Sequence, residues 1–226
     1  MYSSGSTWVY NAARAVGVAC GVPVEAVYAD AYRTVAGLRN PDVTYVVKTH
    51  DLDARATAVM AARAKRILIS IRDPRDCLAS IRAHMGVAFP MAAKMVDHSA
   101  RYTAMFSRDP RTILLRYEDG YIDDPVTLDR FADAFGGTLS AAQRATLFQG
   151  SRREAIEARI AAFERLASVT MADARSGDVV DLDTQWHRHH AHRTGEVGRW
   201  RRDLPPDMAA TIAERLGAWM GAFGYF

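Results

Sequence analysis

The chain has 226 residues, 49% of them hydrophobic and 24% charged, which is enough apolar material for a sizeable buried core. A formal net charge of +3 is too small to indicate a nucleic-acid partner. No stretch is long and apolar enough to span a membrane, and the small-residue run at 15–20 lacks the basic flank of a signal sequence, so a cytoplasmic protein is expected.

Lysine stands only at Lys48, Lys65 and Lys94, so arginine supplies nearly all of the 29 basic residues. Its planar fork of donors suits anions. The two cysteines, Cys20 and Cys77, form neither a disulfide framework nor a metal-ligand spacing and read as core residues.

Taken in order, the chain opens on a hydroxyl-rich turn, Ser3-Ser4-Gly5-Ser6-Thr7, that runs into an amphipathic stretch with Trp8, Ala12, Val16 and Ala19 at helical spacing. A turn at a helix N-terminus presents unpartnered N–H groups and the positive end of the helix dipole. Gly5 allows close backbone approach, and Ser4, Ser6 and Thr7 add hydroxyl donors, so the stretch reads as a phosphate or sulfate cradle. It reads equally well as an ordinary Ser/Thr helix cap.

Gly21-Val22-Pro23 turns the chain, a second helix is expected over 24–36, and Asn40-Pro41-Asp42 breaks it. A short buried strand follows over 43–48, then a helix over 52–63. The clearest strand covers 66–72 around Ile67-Leu68-Ile69-Ser70-Ile71, and Asp73-Pro74 starts a helix over 74–83. The segment 90–106 carries a helical apolar stripe, and 111–117 is a third strand. Helices are expected over 125–135, 140–148 and 153–166, a polar irregular region over 167–192, and a last helix from Pro205-Pro206 that buries Met208, Ile212, Leu216, Trp219 and Phe223. Short apolar strands alternating with helices predict an α/β domain with a central, mostly parallel sheet flanked by helices. Ligands of such sheets bind where the strand C-terminal ends feed the loops.

Three further constellations lie at such ends. Lys48-Thr49-His50 follows a strand: the imidazole can accept a proton near neutrality and the ammonium can neutralise a developing oxyanion. Arg72 closes the next strand, with Ser80 two turns into the following helix, and an arginine there can take a phosphate bidentately. His192-Arg193-Thr194-Gly195-Glu196-Val197-Gly198-Arg199-Trp200 has the glycines and arginines of a flap over an anion. Each alone is also compatible with an ordinary turn or surface loop.

Together with the opening turn, these segments resemble the sulfotransferases that use 3′-phosphoadenosine 5′-phosphosulfate (PAPS), in particular the cytosolic and bacterial members. Ser4-Gly5-Ser6-Thr7-Trp8 is similar to that family's 5′-phosphosulfate loop, and Lys48-Thr49-His50 to its catalytic Lys-Thr-His. Arg72 and Ser80 keep the separation of its 3′-phosphate ligands, and Tyr117-Glu118-Asp119 resembles the segment whose tyrosine lies by the adenine. Arg193-Thr194-Gly195 through Trp200 is similar to the closing Arg-Lys-Gly loop, with Thr194 where lysine is usual. Five motifs in family order span nearly the whole chain. Ser3 stands where the loop usually has a basic residue, and only two residues precede the loop, so the family's N-terminal strand is expected to be truncated or very short.

The resemblance implies one sulfotransferase domain over 1–226, with the P-loop nucleotide-kinase-like fold of the family. It implies sulfuryl transfer from PAPS to a hydroxyl or amine of a small-molecule acceptor, with release of adenosine 3′,5′-bisphosphate (PAP). His50 and Lys48 would be catalytic. Ser4, Gly5, Ser6, Thr7, Trp8, Arg72, Ser80, Tyr117, Arg193, Thr194 and Gly195 would hold the nucleotide. A small-molecule kinase of similar fold would need a Gly-x-x-x-x-Gly-Lys-Ser/Thr loop, which the chain lacks. A non-catalytic nucleotide-binding or scaffold protein of sulfotransferase descent is the alternative. The scheme needs no metal. His187, His189, His190 and His192 crowd one segment, but with no cysteine nearby they read as a polar loop or as acceptor contacts. His98 is expected in the core and His84 as a helix C-cap. Glu118-Asp119 and Asp123-Asp124 read as turn and N-cap residues. Neither the acceptor nor the oligomeric state is specified by the sequence.

Overall fold

The computed structural model describes residues 1–50, 53–173, 177–192 and 195–226. In chain order the elements are α1 (Ser6–Ala19), β1 (Val24–Tyr28), α2 (Tyr32–Gly37), β2 (Thr44–Lys48), α3 (Ala54–Arg63), β3 (Ile67–Ile71), α4 (Pro74–Met85), α5 (Phe89–Phe106), β4 (Thr112–Arg116), α6 (Val126–Ala134), α7 (Ala141–Ser151), α8 (Arg153–Ala161), β5 (Val169–Asp173), β6 (Asp178–Asp181), β7 (Trp186–His187), α9 (Trp200–Asp203), α10 (Pro206–Arg215) and α11 (Gly217–Ala222). Single 3₁₀ turns cover Tyr117–Asp119, Phe163–Arg165 and Arg188–His192. The chain divides into two compact units, each built from separate segments. One comprises Met1–Ser6, Arg66–Asp119 and Thr194–Phe226; the other comprises Thr7–Lys65 and Gly120–Arg193.

In the first unit β3 pairs in parallel with β4, from Ile67↔Thr112 to Ile71↔Arg116. The strand chemistry is what the sequence led one to expect: consecutive β-branched and leucine side chains fit a sheet covered on both faces. Ile69 and Ile71 enter a core with Leu78 and Ile81 of α4, Val96 of α5, Ile212 of α10 and Met220 of α11. α4 starts as predicted. Asp73 caps it by accepting from Arg75 N, Pro74 occupies the first turn, and Gly86 closes it in the left-handed region at φ 61°. That glycine, rather than His84, is the C-cap residue. His98 on α5 is half-buried, its ring 4.7 Å from that of Tyr102. The single terminal helix expected from the apolar spacing is two, because Leu216 leaves helical geometry (φ −111°, ψ 15°). Ile212 and Trp219 still reach one core, and Leu216 and Phe223 pack against it.

In the second unit the helix expected over 24–36 is a strand in its first part and a helix in its last. Val24–Tyr28 pairs in parallel with Thr44–Lys48, in register from Val24↔Thr44 to Tyr28↔Lys48, and only Tyr32–Gly37 is helical. The β-branched Val24 and Val27 suit a pleated surface, and the ladder with β2 supplies backbone bonds that local spacing does not reveal. α1 lies tight against this strand: a Cβ on Gly17 would come 2.7 Å from Val24 Cγ2 and 3.0 Å from Phe135. The helix over 52–63 begins at Ala54, after Asp53 caps it through Ala56 N; its expected first residue, Leu52, lies outside the described residues.

The irregular region expected over 167–192 is also corrected. It contains a three-stranded antiparallel sheet in the order β5-β6-β7. Its sequence is polar because buried polar groups satisfy one another there. Asp181, with 0% exposure, accepts from Arg159 Nη2 at 2.6 Å and from Thr184 Oγ1 at 2.6 Å. Thus the α/β class with parallel strands and flanking helices stands, with the parallel strands forming two pairs, β1–β2 and β3–β4.

Candidate functional site

In the second unit, α1 and β2 bring two of the motifs together. Lys48 is the last residue of β2, and its side chain is buried. Nζ donates to Thr7 Oγ1, in the first turn of α1, at 2.7 Å. The lysine of Lys-Thr-His and the threonine of the hydroxyl-rich turn are therefore hydrogen-bonded across 41 residues of sequence. A buried ammonium is costly unless it is hydrogen-bonded or paired, and the Thr7 hydroxyl supplies one such bond. Thr49 Oγ1 is buried without a hydrogen-bond partner among the described residues. His50 follows two residues after the strand and is half-buried.

Trp8 is 2% exposed. Its indole N–H donates to Ser151 O at 2.9 Å, and its ring lies edge-on to Tyr121 and tilted to Phe131 at 5.7 and 6.3 Å. The ring is a core element of this unit. Asn11, on the next turn, donates to Thr7 O and to Thr184 O at 2.8 and 2.7 Å, fixing the helix start from below.

In the first unit the turn itself adopts the backbone its residues suggested: Gly5 sits at φ 87° and Ser3 at φ 57°. Ser4 Oγ is fully buried, 2.7 Å from Ser70 Oγ and from Met1 O. That hydroxyl anchors the turn to β3. The position of Ser3 is approached by Arg72, whose Nη1 donates to Ser3 O at 3.4 Å.

Arg72 is only 4% exposed. Nη2 donates to Glu196 O at 2.6 Å and lies 3.5 Å from Asp76 Oδ2, the guanidinium covers the Tyr117 ring at 4.4 Å, and Nε has no hydrogen-bond partner among the described residues. Tyr117 in turn abuts Gly195: a Cβ there would come 2.5 Å from Tyr117 Oη. Arg72, Tyr117 and Gly195 are therefore one cluster. Ser80 is buried on the same helix that Arg72 precedes. Arg193 and Thr194 lie outside the described residues.

Asp76 organises this cluster, and sequence reasoning passed over it. It has 0% exposure, accepts from Gly198 N at 2.7 Å through Oδ2 and from Trp200 N at 2.9 Å through Oδ1, and pairs with Arg72 one helical turn away. The i,i+4 spacing of Arg72 and Asp76 was the one available signal; the two N–H donors arrive from 122 and 124 residues away. Glu118 lies in a turn as expected, and it also accepts from Asp73 N at 2.8 Å and from Tyr225 Oη at 3.0 Å. Burial, with the Glu118 carboxylate beside it, raises the pKa of Tyr225, so this phenol stays a donor. Asp124 does behave as a cap, accepting from Val126 N at 2.9 Å.

Cys77 is buried, as expected of a core residue, whereas Cys20 is half-buried. Burial pushes the Cys77 thiol up to about 12, and Cys20 is also raised by burial. The histidine-rich segment has more structure than expected: Asp178 meets His187 and His189, three residues whose ligand atoms lie within 4.8 Å of one another. No helix among the described residues is long and apolar enough to cross a membrane.

No protein-family model and no curated protein sequence matches the chain. Solved structures do. Mouse sulfotransferase SULT7A1 complexed with PAP superposes with a TM-score of 0.63 at 13% identity, over 97% of this chain and 81% of that one. Retinol dehydratase in complex with androsterone and inactive cofactor PAP gives 0.53 at 21% identity, over 82% of this chain and 55% of that one. Retinol dehydratase with retinol and PAP gives 0.55 at 21% identity, over 83% and 56%. This chain therefore spans just over half the length of the retinol dehydratase chains. The α/β fold described above is accordingly a sulfotransferase-like fold.

Proposed function

We propose that the chain transfers a sulfuryl group from PAPS to a hydroxyl or amine of a small-molecule acceptor, acting as a single sulfotransferase domain. The observation that carries the reading is the 2.7 Å bond between buried Lys48 and Thr7. It joins the two motifs that the resemblance assigns to the transferred group. Neighbours of the same fold are described with PAP bound, which is the product this reaction would release.

In this reading His50 accepts the acceptor's proton as its oxygen or nitrogen attacks sulfur. The bond between sulfur and the bridging phosphate oxygen breaks, and Lys48, Thr7 and the N–H groups around Gly5 stabilise charge on the leaving phosphate. Catalysis rests on positioning and electrostatics, as in phosphoryl transfer. Arg72, Ser80, Tyr117 and the Arg193-Thr194-Gly195 loop hold the nucleotide, with Arg72 Nε, which has no hydrogen-bond partner among the described residues, available to an anion.

Calorimetry with PAP and AMP, followed by turnover of labelled PAPS with an acceptor library, tests the proposal. PAP should bind at least ~10-fold tighter than AMP, because a charge-assisted contact to phosphate is worth about 1.5–3 kcal/mol. His50→Ala should keep PAP affinity and lower turnover by ~10²–10⁴-fold, the usual contribution of a general base. Equal affinity for PAP and AMP, or normal turnover by a folded His50→Ala protein, would overturn it. PAP binding without turnover of any acceptor would leave a nucleotide-binding scaffold in its place.

A further inference from the structure

Besides the residues assigned to sulfuryl transfer, the second unit holds a cluster of titratable side chains. Asp178 opens β6, His187 closes β7, and His189 lies in the 3₁₀ turn that follows. The antiparallel pairing Val180↔His187 and Asp181↔Trp186 folds the chain back, so residues nine and eleven positions apart come together. His187 Nδ1 is 2.6 Å from Asp178 Oδ2, and His189 Nδ1 is 3.1 Å from Asp178 Oδ1. Both carboxylate oxygens are thus engaged, each by a different imidazole.

The surroundings hold this arrangement in place. His190 Nδ1 accepts from His187 N at 3.1 Å, and its ring lies 5.3 Å from that of His187 and 4.6 Å from that of His189. The His190 ring lies edge-on to that of Trp186, with centroids 5.3 Å apart. The three candidate side chains keep 18, 29 and 22% exposure for Asp178, His187 and His189, so solvent reaches each of them in part. Burial alone would raise the Asp178 carboxyl; hydrogen bonds and charge from His187 and His189 outweigh it and lower it instead.

We propose that Asp178, His187 and His189 form a binding site for a borderline divalent transition-metal ion of the zinc class. Two imidazole nitrogens and a carboxylate oxygen are a ligand set that zinc, cobalt, nickel and copper share, whereas magnesium and calcium prefer oxygen alone. Ligands of a tetrahedral zinc lie at about 2.0–2.2 Å from the metal, hence about 3.3 Å from one another. The three ligand atoms, all within 4.8 Å of each other, need only small side-chain movements to reach that spacing. The cation would take the place of the hydrogens now shared between the Nδ1 atoms and the carboxylate, and water would complete its shell. Such an ion would tie β6, β7 and the 3₁₀ turn together. The proposal does not depend on sulfuryl transfer and would stand if that reading failed.

The test uses the untagged full chain stripped with a chelator. Zinc chloride is titrated calorimetrically, and cobalt chloride is followed by visible absorption, at pH 7.5 and 5.5. One ion per chain is expected, with affinity at least ~10-fold weaker at pH 5.5, where imidazoles compete for protons. His189→Ala and the near-isosteric Asp178→Asn should each weaken zinc binding by at least ~10-fold and abolish the intense cobalt absorption of a low-coordinate site. The proposal is overturned by an unchanged aqueous cobalt spectrum in the wild-type chain, a readout that does not depend on any variant folding. Stoichiometric zinc binding that both folded variants retain would also overturn it.

Discussion

Replacing Asp76 with alanine should loosen the 196–200 loop and cost the fold measurably. The carboxylate is fully buried and takes the N–H groups of Gly198 and Trp200 at 2.7 and 2.9 Å, besides pairing with Arg72 at 3.5 Å. Alanine strands both donors. Each unsatisfied buried donor costs about 1–3 kcal/mol, which gives about 2–6 kcal/mol for the two. Gly198 and Trp200 are only half-buried, so water can reach part of the gap, and the expected loss lies near the lower middle, about 3 kcal/mol. The Arg72 pair adds little independently, because at 3.5 Å it is long and the guanidinium keeps Glu196 O and the Tyr117 ring. Asp76→Asn retains one acceptor oxygen and should lose about half as much. The assay is urea unfolding, read together with tryptic cleavage at Arg199, Arg201 and Arg202, whose rate reports opening of this loop before global unfolding. A loss below ~1 kcal/mol for Asp76→Ala with an unchanged cleavage rate would refute the reasoning.

Gly195→Ala meets both a positive φ of 67° and a contact of 2.5 Å with Tyr117 Oη, so a loss of at least ~1–2 kcal/mol is expected; Tyr117→Phe in the same chain should recover the steric part alone, as urea midpoints of the single and double variants would reveal. Cys77, with its thiol raised to about 12, should resist iodoacetamide at pH 8 in the native chain and react once urea unfolds it, as mass spectrometry would report. The Asp181 carboxyl is raised by burial but lowered on balance by its hydrogen bonds from Thr184, Ser168 and Arg159. Its folded value therefore lies below the unfolded one, so its contribution is complete above about pH 4–5 and is lost as pH falls through the folded value. Asp181→Asn should accordingly destabilise the chain at pH 7 and flatten the fall in urea midpoint between pH 5 and 3; an unchanged acid slope would exclude this carboxylate as a source of it.

What the sequence determined by itself was whatever depends on near neighbours. The run Ile67-Leu68-Ile69-Ser70-Ile71 is a strand because β-branched and leucine side chains suit a sheet buried on both faces. Asp73-Pro74 starts a helix because a capping carboxylate and a fixed φ act within one turn. The positive φ at Gly5 and the helix that begins at Ser6 follow from equally local chemistry, and the order of the motifs was enough to suggest the sulfotransferase-like fold. Tertiary structure decided the rest. Val24–Tyr28 is a strand because Thr44–Lys48 lies beside it, and the polar 167–192 segment is a sheet because Asp181 satisfies Arg159 and Thr184. Asp76 finds its N–H donors more than a hundred residues away, Arg72 reaches the backbone carbonyl of Ser3, and Asp178 meets two histidines through an antiparallel turn. A buried polar group is favourable only when its partner arrives, and the partner's position is a property of the whole fold rather than of the residues beside it in sequence.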